Sequence, residues 1–85
     1  MTYREPIPPE LLNAAGEALF GQDWIVALAR ALDVDRKTVS RWAAGQTRVT
    51  PAIAPELVAR LQRKAVQVEA TLAALAPFVA GENPP

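Results

Sequence analysis

The sequence predicts an all-α fold, a small four- to five-helix bundle with a helix-turn-helix and a long C-terminal helix. Three observations predict it. Apolar residues recur three and four positions apart from Leu11 to Val79, no run alternates as a half-buried strand does, and glycine, proline or aspartate stands wherever the helical period breaks. The 85 residues, 51% of them hydrophobic and 21% charged, suit one domain with a modest core. The expected division is an extended arm over 1–9, a helix-turn-helix core over 10–54, a C-terminal helix over 55–80 and a tail over 81–85.

Each element has its own signal. Pro6, Pro8 and Pro9 keep the arm extended. From Pro9 or Glu10, the residues Leu11, Leu12, Ala15 and Leu19 repeat at helical spacing, and Gly21 is placed to end that helix. Gly16 inside it either weakens the helix by about 1 kcal/mol relative to alanine or marks a close helix contact. A second helix is expected from Gln22 or Asp23, as its cap, to Leu32, with Trp24, Ile25, Leu28, Ala29 and Leu32 on one apolar face. A third, Arg36 to Ala44, follows at once: Asp35 caps the free amides of Lys37 and Thr38, Val39 and Trp42 face inward, and Gly45 stops it.

Gln46 to Val49 reads as a loop. Thr50 then caps the last helix, with Pro51 in its first turn; Pro55 must also lie in that first turn, or the helix begins there instead. Leu57, Leu61, Ala65, Val68, Leu72, Leu75 and Val79 follow a 3.6-residue period, and Pro77 is expected to bend or end the helix near Ala76.

Composition narrows the chemistry. Without cysteine or histidine there is no disulfide, no soft metal site and no proton shuttle near neutral pH. Ser40, the only serine, has no histidine to activate it, and no phosphate-cradling glycine loop occurs. Asp33 and Asp35 suit turn and cap roles better than a paired-carboxylate site. The expectation is a protein that is not an enzyme, with no cofactor, no metal and no small-molecule substrate. No run of about 18 apolar residues and no hydrophobic signal core occurs, so no membrane association is expected and a cytoplasmic location is.

The net charge is zero, but its distribution is uneven. Between Arg30 and Arg48 lie five basic residues (Arg30, Arg36, Lys37, Arg41, Arg48) and two acidic ones (Asp33, Asp35), a local excess of three. Two short helices joined by about three residues, the second carrying that charge, have the layout of a helix-turn-helix. One helix fits a DNA major groove about 12 Å wide, while the other braces it. The contact between them calls for a small residue, and Ala29 supplies it.

Leu28, Ala29, Leu32, Val34, Val39 and Trp42, with Gly45 after them, are the residues on which Ile25 to Ala44 resembles the twenty-residue signature of lambda-repressor-like (Cro-type, XRE) transcription regulators of bacteria and phages. The run "VSRWAAGQ" is particularly similar to that family, and the resemblance spans about residues 10 to 62. Asp33 stands where the family usually has glycine, and Ile25 where it often has a phosphate-clamping glutamine. The resemblance implies base contacts from Arg36, Lys37, Thr38, Ser40 and Arg41, with Arg36 the first candidate and Arg41 the second for gripping guanine. It implies backbone contacts from Gln22, Gln46, Thr47, Arg48 and Thr50, which position the protein rather than read sequence. Trp24 and Trp42 fall on apolar helix faces and are expected in the core.

The last helix is too long for so small a domain to cover. Val66, Val68, Leu72, Leu75, Phe78 and Val79 are expected beyond the core, where such apolar surface calls for a partner. Either a second copy covers Val68, Leu72, Leu75, Phe78 and Val79, or the helix folds back onto Leu11, Leu12 and Leu19. The first reading predicts a homodimer on a palindromic double-stranded operator, with recognition helices about 34 Å apart. Family habit adds repression of a promoter, its own included, in a bacterium, phage or mobile element. The alternative is a protein-interaction adaptor, such as an antitoxin-like partner of another protein, that keeps the fold without binding DNA; zero net charge is its support.

Overall fold

A computed structural model describes residues 5–81. Four α-helices follow in order: α1 (Pro9–Phe20), α2 (Trp24–Leu32), α3 (Arg36–Ala43) and α4 (Ala54–Gly81), with a 3₁₀ turn at Pro51–Ile53 leading into α4. Among the described residues there is no strand, and no helix is long and apolar enough to cross a membrane.

The core is small and shared by every helix. Leu12, Trp24, Leu28, Ala29, Val39, Trp42, Val49 and Leu57 are buried, and Leu19, Phe20, Ile25, Leu32 and Val34 pack around them. Both tryptophans are therefore core residues. Gly16 is the close contact: a Cβ there would overlap the indole of Trp24, whose Cγ would lie 2.9 Å away. That docking also sets the register of α1. The stripe Leu12–Gly16 faces inward and Leu11, about 100° around the helix, is 59% exposed, contrary to its expected place on the apolar face.

Asp23 stands at the start of α2, but neither it nor Gln22 supplies the expected cap. Asp23 has φ −93° and ψ 39° rather than extended geometry, and its side chain accepts no amide. Thr50 does cap as expected, though the 3₁₀ turn comes first: its hydroxyl oxygen accepts from the Ala52 amide at 3.2 Å, and α4 begins at Ala54 with Pro55 in its first turn.

Pro77 does not end α4, which runs on to Gly81. Proline removes one amide that would have bonded the Ala73 carbonyl, and at this exposed site water can take its place. The tail expected over 81–85 therefore loses Gly81 to the helix; its remaining four residues, like Met1–Arg4 of the arm, lie outside the described residues. The described part of the arm does more than extend. The Ile7 amide donates to the Val49 carbonyl at 3.2 Å, an isolated antiparallel bridge between arm and loop.

After Leu61, α4 adds nothing to the buried core. Every residue from Gln62 to Val79 is exposed, and the molecule measures 58 × 32 × 21 Å. The fold-back onto Leu11 and Leu12 is not formed; only the base of α4 meets α1, with Lys64 Nζ donating to the Leu19 carbonyl at 3.5 Å.

Candidate nucleic-acid interface

The junction of α2 and α3 is built from backbone hydrogen bonds that the sequence can supply. Asp33 is left-handed, φ 59° and ψ 47°, the only described non-glycine residue with positive φ. Its amide donates to the Arg30 carbonyl at 3.2 Å, and the Val34 amide donates to the Ala29 carbonyl at 2.9 Å. This pair of bonds is a Schellman closure, which normally favours glycine at the left-handed position; aspartate is among the side chains that tolerate it. Val34 then packs on the core beside Ala29. The chain turns sharply enough for Asp35 to start α3 two residues later.

Asp35 is extended, φ −67° and ψ 139°, and its Oδ1 accepts from the Lys37 amide at 2.9 Å. The Thr38 amide goes instead to the Asp35 carbonyl, also at 2.9 Å. At the other end Gly45, φ 77°, repeats the same closure: its amide donates to the Trp42 carbonyl at 3.1 Å and the Gln46 amide to the Arg41 carbonyl at 2.9 Å. Ala44 is thus a cap rather than the last helical residue. Asp33 and Asp35 hold turn and cap positions.

Val39, fully buried, and Trp42 fix the orientation of α3. With 100° per residue, Lys37, Ser40, Arg41 and Ala44 fall opposite them, and all four are exposed. Arg36 is exposed at the leading edge, whereas Thr38 is half-buried on the flank nearest Trp42. The five candidate base-reading residues therefore divide: four form an open face and Thr38 borders the core. Among the described residues the one ion pair is Arg60 Nε to Glu56 Oε2 at 2.7 Å, on α4. Among the described residues, Arg36, Lys37, Arg41 and Arg48 form no ion pair with a carboxylate.

The candidate backbone-contacting residues lie at two places. Gln22 is exposed in the turn before α2; Gln46, Thr47, Arg48 and Thr50 are exposed after α3. Thr50 already uses its oxygen as an acceptor for Ala52, leaving the hydroxyl hydrogen free to donate. What steadies this loop is Val49, 1% exposed, together with the Ile7 bridge. Pro6–Pro9 and Gly45–Val49 line one shallow groove between arm and loop. Sequence reading missed that support, although each partner was an isolated branched apolar residue in a polar or proline-rich stretch.

No family model, characterised protein or solved structure matches the chain.

The arrangement gathers positive charge and hydrogen-bond donors on one open surface. A rigid, two-ended cap holds three cations and a hydroxyl on one convex face, and a pinned loop adds Arg48 and three polar side chains beside it. Among the described residues no cluster of His, Cys, Asp or Glu fits a metal ion.

Proposed function

We propose that the protein is a sequence-specific double-stranded DNA-binding transcriptional regulator, acting as a homodimer and repressing a promoter. One observation carries this reading. The outward face of α3 presents Lys37, Ser40 and Arg41, with Arg36 at its leading edge, and among the described residues none of these cations is held in an ion pair.

A helix of eight residues is about 12 Å long, enough to lie in the major groove and reach several base pairs. Arg36 or Arg41 grips guanine through O6 and N7, Ser40 takes either kind of base edge, and Lys37 serves a phosphate or a guanine. Gln46, Thr47, Arg48, Thr50 and, across the groove, Gln22 hold the backbone. Thr38 is a weaker candidate for reading bases, because part of its surface is already covered. With zero net charge the chain has little long-range pull on DNA, so two linked copies are needed to bind firmly. The exposed face of α4 offers the means of linking them. A pair of such domains seated on a promoter blocks polymerase by occupancy alone, which makes repression the simplest outcome. We also place the protein in the cytoplasm, where that DNA is.

The charge balance and the exposed apolar α4 also suit an adaptor that binds only protein. One experiment separates the readings. Wild type and the double variant Arg36→Ala/Arg41→Ala are tested for retention on DNA taken from upstream of the chain's own coding sequence. The regulator reading expects firm, salt-sensitive retention of wild type and loss in the variant. Equal retention of the two, or none by wild type, favours the adaptor.

A further inference from the structure

From the half-buried Leu61 outward, a series of apolar residues on α4 is spaced with a regularity that a merely long helix does not need. Leu61, Ala65, Val68, Leu72, Leu75 and Val79 are separated by four, three, four, three and four residues. That is the seam of a two-stranded coil, with Ala65, Leu72 and Val79 in one set of layers and Leu61, Val68 and Leu75 in the other. Leu72 is 58% and Val79 63% exposed, so the seam is open. From Ala70 to Val79 the only polar side chain is Thr71, and an isolated helix with no wet face is unstable in water.

We infer that a second copy of this chain covers the seam in a parallel, in-register coiled coil, locked by two symmetric ion pairs between Lys64 of one copy and Glu69 of the other. The inference rests on the proposed dimer for its occupant and on charge for its orientation. In a parallel pair, the residue just before one layer faces the residue five positions on in the other strand. Lys64 precedes Ala65, and five positions on is Glu69. Both side chains are exposed, Glu69 has no ion-pair partner among the described residues, and Lys64 makes only the 3.5 Å bond to the Leu19 carbonyl.

Antiparallel pairings do not achieve this. Centring the seam on Ala70 brings Glu69 near its own symmetry mate and sets Lys64 against Phe78; shifting by half a heptad either way pairs neither charge with its opposite. A parallel coil also leaves both bodies at one end, related by a two-fold axis along the coil. The coil is short, so dimerisation should depend on concentration.

Because the chain has no cysteine, single-cysteine variants report orientation directly. Val79→Cys and the outward control Ala73→Cys are oxidised mildly at micromolar concentration without DNA, and sedimentation of wild type is run beside them. A parallel coil places Val79 against its own copy and predicts rapid disulfide-linked dimers for Val79→Cys and slow ones for Ala73→Cys. Any antiparallel register that keeps the seam paired holds the two Val79 positions more than about 15 Å apart, beyond disulfide reach. Failure of Val79→Cys to cross-link, in a wild type that sediments as a dimer, overturns the parallel coil. So does a monomeric wild type.

Charge exchange gives the second reading. Lys64→Glu and Glu69→Lys should each weaken self-association about three- to tenfold, and mixing the two variants should restore it as a heterodimer. No change in either variant, or no recovery on mixing, removes the ion pairs. The outcome is independent of DNA. Cross-linking without DNA binding leaves the coil and removes the regulator, whereas DNA binding by a chain that never cross-links does the reverse.

Discussion

The body and the part of α4 beyond Leu61 are both rich in apolar residues but in opposite states of completion. In the body, Leu12, Leu28 and Val39 are wholly covered, and the turns on either side of α3 close their own hydrogen bonds. In α4 beyond Leu61, Val66, Leu72, Leu75, Phe78 and Val79 are all more than half exposed. The body covers its own apolar side chains and leaves a basic face exposed. The outer helix is unfinished, and its leftover surface is apolar. The proposed function takes up that contrast with two kinds of partner, DNA for the basic face and a second copy for the apolar one.

The strongest way to test that contrast is to truncate one leucine at each end. Leu28→Ala should lower unfolding free energy by about 2–5 kcal/mol, read from denaturant titration, because it opens a cavity among Leu12, Val39 and the tryptophans. Leu72→Ala should leave the stability of the dilute monomer within about 0.5 kcal/mol while weakening dimerisation. If the two variants lose stability equally at concentrations where wild type is monomeric, the outer helix is not separate from the body.

Charged substitutions sharpen the comparison next. Leu72→Glu/Leu75→Glu should give a folded monomer by sedimentation, with unchanged tryptophan fluorescence and weakened binding to duplex DNA. Loss of the folded signal would place those leucines in the monomer core. A smaller effect is expected at Gly16. Gly16→Ala gains about 1 kcal/mol of helix propensity, but the new methyl meets the indole of a buried tryptophan, so we expect a net loss of about 1–2 kcal/mol in thermal or denaturant unfolding. A stabilised variant would mean that Trp24 can move aside freely.

The smallest effects lie at the turn. Asp35→Ala should cost about 1 kcal/mol by removing the acceptor of the Lys37 amide. Asp33→Gly should stabilise by less than about 1 kcal/mol, since glycine holds a left-handed φ without strain, although it also frees the unfolded chain. Opposite signs at two aspartates two residues apart would separate a cap from a turn.

Much of this architecture was readable from residues because the signals are local. Aspartate at 33 and glycine at 45 prescribe left-handed stops, Asp35 prescribes a cap, and the spacing of Val39 and Trp42 fixes the outward face of α3 by exclusion. What could not be read depends on contacts between distant residues. Leu11 and Leu12 are equally apolar, and only the docking of Trp24 onto Gly16 decides which one turns inward. Val49 reads locally as part of a polar loop, and its bridge is to Ile7, forty-two positions earlier. Thr38 lost part of its exposure to a neighbouring core surface that helix spacing alone does not outline. Pro77 carries an intrinsic cost in a helix, but a single exposed carbonyl bears it without breaking α4.

The most direct test is selection of bound sites from random duplex DNA by the full chain, followed by titration of the selected sequence against its Arg36→Ala/Arg41→Ala variant. The expected product is a palindrome with half-site centres about 10–10.5 base pairs apart, or a multiple of that, bound more weakly by the variant. Each lost base contact should cost about 1–3 kcal/mol, and affinity should fall steeply with salt. Failure to enrich any sequence, or a selected site that both proteins bind alike, would show that the cationic face of α3 does not read DNA.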